Sequence, residues 1–216
     1  NPVSPTIIMD SETCKIILVR HGLSELNVKG LIGGQTETPL TKEGVEQVKD
    51  ARSKFEHLSF DNVYSSDLQR AIHTAEILYG SPVPKENQLV GLRERHFGVL
   101  ESRPFEDFGD FTGVVMALPE EERWLYQHAK NMETDGVLAK RVLESLDYIA
   151  RNNKGKTVLV VSHGGAIRVT LIKLGWGDHA HLAAGSFKNV GYVELEYKNG
   201  KPTVLDVEDT PRQAVQ

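Results

Sequence analysis

Two stretches of the chain each end an unbroken apolar run in a histidine followed by glycine. Ile16-Ile17-Leu18-Val19 leads into Arg20-His21-Gly22, and Val158-Leu159-Val160-Val161-Ser162 leads into His163-Gly164-Gly165. Such short, β-branched runs read as strands buried on both faces, and in open α/β sheets ligands bind at the carboxyl edge of the strands. Arg70 and Glu94 are expected near the same edge. Two guanidiniums and two imidazoles in one cleft repel one another unless an anion joins them. Arginine matches phosphate bidentately, the glycine turns add backbone N–H donors, and the helix after His163 points its positive end there. The expected ligand is therefore a phosphate or phosphoryl group. An imidazole beside cations is held neutral, and its lone pair suits attack on phosphorus. The remaining cations would stabilise the transferring oxygens. A leaving alkoxide needs a proton, which Glu94 can supply once an arriving phosphate dianion has brought one onto it.

The rest of the chain must place these groups. Residues 1–14 read as a polar, proline-bearing arm, and 15–19 as the first strand. A short helical piece spans Ser24–Lys29, followed by an open loop with Gly30, Gly33 and Gly34 that closes at Pro39. Thr41 is placed to cap a helix whose stripe is Val45, Val48, Ala51, Phe55 and Leu58. Phe60–Tyr64 reads as a strand. Ser66 and Gln69 fit a capping box that starts a helix at Asp67 and carries it to Tyr79. Gly91–Glu94 reads as a short extended segment. Between 96 and 134 aromatics mix with acids, an insertion expected to fold over one end of the sheet with Phe105, Phe108, Phe111, Trp124 and Tyr126 as its own small core. Leu138, Val142, Leu146 and Ile149 mark a helix, 157–162 a strand, and Gly165–Leu174 a further helix. Tyr192–Tyr197 and Thr203–Val207 flank Asn199-Gly200 as a hairpin. Alternating strands and helices predict a layered α/β fold with that hairpin at an edge.

Composition narrows the function. A net charge of -5 argues against a nucleic-acid binder, which needs a basic face. The single cysteine, Cys14, excludes an internal disulfide and a cysteine metal cluster. No apolar run reaches the length of a membrane span and no basic-then-apolar leader opens the chain, so the expectation is a cytoplasmic protein with no membrane partner.

Four motifs in order, LVRHG at 18–22, SSDLQRAIHTAEIL at 65–78, LRERHFG at 92–98 and VSHGGAIR at 161–168, resemble the histidine phosphatase superfamily, the phosphoglycerate mutase-like group. The resemblance implies an α/β three-layer sandwich: a mixed, mostly parallel six-stranded sheet with helices on both faces. It implies one domain over 1–216, with 96–134 capping the active site. It implies that His21 is a transiently phosphorylated nucleophile and that Glu94 is the acid, then the base that activates water. Arg20, Arg70 and His163 would complete the phosphate pocket. Asn27 matches a further pocket residue, Gly164 a backbone donor, and Gly33-Gly34-Gln35 a loop bordering the substrate. No metal and no cofactor are implied; the partner is a small phosphomonoester, and a homodimer is among the assemblies allowed.

ERHFG is similar to the ERHYG of cofactor-dependent phosphoglycerate mutases, with Phe97 in place of tyrosine. Those enzymes carry paired arginines in a longer insertion, whereas Arg103, Arg123 and Lys130 are scattered here among acids. HGGAIR is the form common in the phosphatase branch, where the mutases usually have Asn-Ser after HG. The expectation is thus a histidine acid phosphatase-type phosphomonoesterase. A mutase and an inactive phospho-ligand binder are the alternatives, and Arg93, Arg95 and Arg103 are candidates for holding a second anion. A zinc site from His21, His163 and Glu94 has the wrong spacing for a helical histidine pair.

Overall fold

The computed structural model describes residues 12–208. In chain order the elements are β1 (Thr13–Arg20), α1 (Glu25–Val28), α2 (Lys42–Ala51), β2 (Asn62–Ser65), α3 (Gln69–Tyr79), α4 (Phe111–Ala117), α5 (Glu120–Arg123), α6 (Asp135–Asn152), β3 (Thr157–Ser162), α7 (Gly164–Lys173), β4 (Tyr192–Lys198) and β5 (Lys201–Val207). Local chemistry explains several boundaries. The Thr41 hydroxyl accepts the Gly44 N–H at 2.9 Å and the Thr134 hydroxyl accepts that of Val137, satisfying amides that α2 and α6 leave unpaired. Asn199 and Gly200 both take positive φ, 53° and 72°, as the two-residue turn between β4 and β5 requires.

The sheet runs β2-β3-β1-β4-β5. β2 pairs parallel with β3 and β3 with β1, while β4 is antiparallel to both of its neighbours, so β4 alone runs against the rest. Alternation along the two central strands divides the core. Ile16, Leu18, Val158 and Val160 pack on α6 and α7. Ile17, Val19, Leu159 and Val161 face the other way, against Val48 of α2 and Ala71 and Ala75 of α3. Both faces of β1 and β3 are therefore covered, which is why their sequences do not alternate with polar residues.

Three expectations change. The sheet has five strands among the described residues rather than six: Val90–Leu92 coils into a 3₁₀ turn. Its carbonyls have partners other than a neighbouring strand. Arg141 of α6 donates to those of Gly91, Arg93 and Glu94, and the Ser162 hydroxyl donates to that of Leu92 at 2.8 Å. Second, α3 starts at Gln69, with Leu68 in the cap position, because the Ser66 hydroxyl faces His163 instead of closing a capping box. Third, Thr13 and Cys14 of the expected N-terminal arm already lie in β1, and residues 1–11 of that arm fall outside the described residues. Within 96–134, Phe108 and Phe111 stack at 5.0 Å and form a cluster with Ile32, Val115 and Met132. Trp124 does not join it; it packs on the main core and on His179. No helix among the described residues is long and apolar enough to cross a membrane.

Candidate active site

Parallel register brings the motifs together. Arg20 pairs with Ser162 and Ser65 with Val161, so β1, β3 and β2 end at one edge. The His21 N–H donates to the Ser162 carbonyl at 3.0 Å, and the His21 and His163 rings meet with centroids 5.0 Å apart at 61°. The chain leaving β2 turns through Ser66 into α3 and delivers Arg70, while the 3₁₀ turn pinned by Arg141 delivers Glu94.

His21 is buried, and its Nδ1 lies 2.7 Å from the carbonyl oxygen of Gly22. A carbonyl can only accept, so Nδ1 carries the hydrogen and Nε2 keeps its lone pair. Burial, then Arg70 and Arg20, hold its pKa well below the usual histidine value. His163 is depressed in the same way, by burial and then by Arg70, His21 and Arg20. Its Nε2 lies 2.8 Å from the Ser66 hydroxyl, and its Nδ1 has no partner among the described residues. Arg20 donates to the Phe187 carbonyl through Nη1, while its Nε is likewise buried without a partner. Burial lowers the Arg70 pKa to about 10, which still leaves it charged at neutral pH. Its two terminal nitrogens donate to the carbonyls of Thr36 and Gly34 at 2.9 and 2.7 Å.

Glu94 is fixed by backbone. Oε1 accepts the Arg95 N–H at 2.7 Å and Oε2 that of Gly165 at 2.9 Å. A Cβ at position 165 would stand 2.5 Å from Oε1, so the second glycine of His-Gly-Gly makes room for this carboxylate. Gly34 has φ +47°, and a Cβ there would meet the Glu101 carboxylate at 2.6 Å. Glu101 holds the loop by accepting the Gln35 N–H and the Thr36 hydroxyl.

Arg20, His21, Asn27, Gly34, Arg70, Glu94 and Gly164 line one cavity of about 140 Å³. Asn27 also closes the start of α1 by accepting the Ser24 N–H and hydroxyl. Gln35 is not among the lining residues; its amide donates to the Glu94 carbonyl at 3.1 Å and its oxygen accepts from Arg93. Of the candidates for a second anion, Arg93 is bound to Asp67 and Arg103 to Asp107. Arg95 lines the cavity but is paired with Asp135. Sequence reasoning missed Ser66, Glu101, Arg141 and Arg168, each of which acts on a partner far along the chain. It assigned Phe105, Phe108 and Phe111 to a separate small core; they also line the cavity, with Phe97. No group of three or more His, Cys, Asp or Glu side chains among the described residues is arranged to hold a metal ion.

The three-layer α/β fold thus gathers two imidazoles and two guanidiniums at the carboxyl edge of its parallel strands, with the unprotonated nitrogen of His21 among them. Residues 16–210 match the histidine phosphatase superfamily (branch 1), and the chain belongs to that superfamily. It is similar to the metal-independent phosphoserine phosphatase of Arabidopsis thaliana, at 31% identity over 88% of this chain and 81% of the relative. It is also similar to the adenosylcobalamin/alpha-ribazole phosphatase of Salmonella typhimurium, at 32% identity over 74% and 79%. Among solved structures, the phosphoserine phosphatase of Entamoeba histolytica in complex with 3-phosphoglyceric acid superposes with a TM-score of 0.75 at 27% identity, covering 91% of this chain and 98% of that one.

Proposed function

We propose that the protein hydrolyses small phosphomonoesters through a phosphohistidine formed on Nε2 of His21. The observation that carries this reading is the hydrogen bond from His21 Nδ1 to the Gly22 carbonyl, which leaves Nε2 as the free nucleophilic atom beside Arg20, Arg70 and His163. In the first step Nε2 attacks phosphorus and the ester P–O bond breaks. Arg20, Arg70 and the Nδ1–H of His163 then donate to the equatorial oxygens, where their fixed positions stabilise the developing charge. The departing alkoxide takes the proton carried by Glu94. In the second step Glu94, now ionised, takes a proton from water as the water oxygen attacks phosphorus. The P–N bond breaks and inorganic phosphate leaves, with His21 returned to its neutral form. The phosphatases among the relatives, found at 31–32% identity, support phosphomonoester hydrolysis as the reaction.

The test is a rapid acid-free quench of turnover with a ³²P-labelled phosphomonoester. Label that stays on the protein in alkali, leaves it in acid, and is missing from His21→Ala is the expected result. Steady turnover with no protein-bound label overturns the phosphohistidine.

A further inference from the structure

Arg168 has no part in the scheme above, yet it lines the same cavity. It is only 4% exposed. Its Nε donates to the Leu182 carbonyl and its Nη1 lies 3.4 Å from Asp135 Oδ2, while Nη2 is buried with no hydrogen-bond partner among the described residues. Asp135 is already committed elsewhere: Oδ1 accepts from Arg95 and Oδ2 lies 3.0 Å from His179 Nε2. A buried guanidinium with a free N–H group is under-satisfied and favours an added acceptor.

Its position is set by α7. Gly164 and Gly165 face the phosphate end of the cavity, and Arg168 follows them at four and three residues, on the same helical face. One turn advances about 5.4 Å, a spacing that a three-carbon skeleton bridges. Charge agrees with this. Arg20, Arg70, Arg95 and Arg168 line the cavity, and Glu94 is the one carboxylate among its lining residues, with Asp135 behind Arg95 and Arg168. The lining is therefore cationic along its length and suits a substrate with a second anionic group. The neighbouring wall is apolar, with Phe108 and Phe111, and a low-dielectric surround strengthens any ion pair formed there.

We propose that Arg168 is a carboxylate-binding residue one helical turn from the phosphoryl site, so that the substrate class is the phosphomonoester of a small hydroxy or amino acid. This rests on the phosphomonoesterase reading. Substrate spans the cavity with its phosphate on Arg20, His21 and Arg70 and its carboxylate on Arg168 Nη2.

The experiment compares matched pairs on the full chain: O-phosphoserine against O-phosphoethanolamine, and 3-phosphoglycerate against glycerol 3-phosphate. A charge-assisted hydrogen bond to a buried group predicts kcat/KM at least about tenfold higher for the carboxylate member of each pair. In Arg168→Gln that ratio falls below about threefold, whatever the variant's absolute rate, and Arg168→Lys keeps an intermediate ratio. Wild-type turnover with a ratio near one overturns the subsite while leaving the phosphatase reading intact, as does a ratio that persists in Arg168→Gln. Should no phosphomonoester turn over, the phosphatase reading fails. Calorimetric binding of the same pairs to His21→Ala then decides the subsite by itself: a preference of tenfold supports it, and equal affinities remove it.

Discussion

Each residue of the pocket is specified by what its other side touches. In the proposed reaction His21 attacks only through Nε2, because the Gly22 carbonyl holds Nδ1 as N–H. His163 is oriented in turn by Ser66, whose hydroxyl accepts the Leu68 N–H at 3.2 Å and lies 2.8 Å from Nε2. The proposed reaction needs the imidazole hydrogen on Nδ1, the nitrogen without a partner among the described residues, and Ser66 meets that need by turning its hydrogen to Nε2 while the Leu68 amide occupies one of its lone pairs. Ser66→Ala is expected to lower kcat about tenfold to a hundredfold and to shift the His163 ring ¹⁵N resonances towards a mixture of tautomers. Ser66→Thr, which keeps the hydroxyl, should restore both. Glu94 matters according to the leaving group. Glu94→Gln should lower kcat/KM, which reads only the transfer to His21, by about a hundredfold or more for alkyl phosphates and by less than about tenfold for p-nitrophenyl phosphate, since a good leaving group needs no proton. Equal losses of kcat/KM on the two substrates would remove its role as the acid.

At the scale of elements, the site is assembled by strands and held by loops that reach it from elsewhere. Arg70 rides on α3, but its guanidinium is aimed by the carbonyls of Gly34 and Thr36, and that loop is anchored by Glu101. Glu101 also accepts the Phe97 N–H at 3.1 Å, so one carboxylate joins the loop at Gln35 and Thr36 to the aromatic wall. Glu101→Ala should raise KM for phosphomonoesters and the inhibition constant of vanadate together by about tenfold, with a smaller change in kcat; this loosens a positioned binding group without touching the nucleophile. These links were not legible in the sequence. The Gln35–Glu101 bond spans 66 residues and the His163–Ser66 bond 97, and neither pair has a spacing that a helix or strand imposes. The strand ends were legible, because an apolar run that stops at Arg-His-Gly carries both the buried strand and its exit in consecutive residues.

For the molecule as a whole, two buried histidines with depressed pKa values couple stability to pH. Above about pH 6.5, the unfolded value, both rings are neutral in either state and contribute nothing to the dependence. Below it the unfolded chain takes up protons that the folded chain refuses. Stability of the free protein therefore falls by about 1.4 kcal/mol per histidine for each pH unit, down to the folded pKa. Asp135 acts with the same sign at lower pH: burial raises its carboxyl pKa, but the Arg95 guanidinium beside it outweighs that and holds it well below the usual range. Its contribution is thus intact above about pH 4 and lost only as pH falls further. The window from pH 6.5 to 5 belongs to the histidines. Melting temperatures across it should fall steeply for the wild type and about half as steeply for His21→Ala; identical slopes would mean that His21 is not held neutral by the fold.

The sequence by itself determined the layered fold and the two strand exits that carry His21 and His163, because each depends on neighbours along the chain: an apolar run, a turn glycine, a periodic stripe. It did not determine that Gly91–Glu94 stays out of the sheet, that Ser66 serves an imidazole as well as the Leu68 amide, or that Arg168 enters the cavity. Those outcomes follow from where Arg141, His163 and Asp135 arrive once both faces of the central strands have been covered. A hydrogen bond is decided by whichever donor and acceptor the packing brings within about 3 Å, and only the tertiary structure fixes that choice.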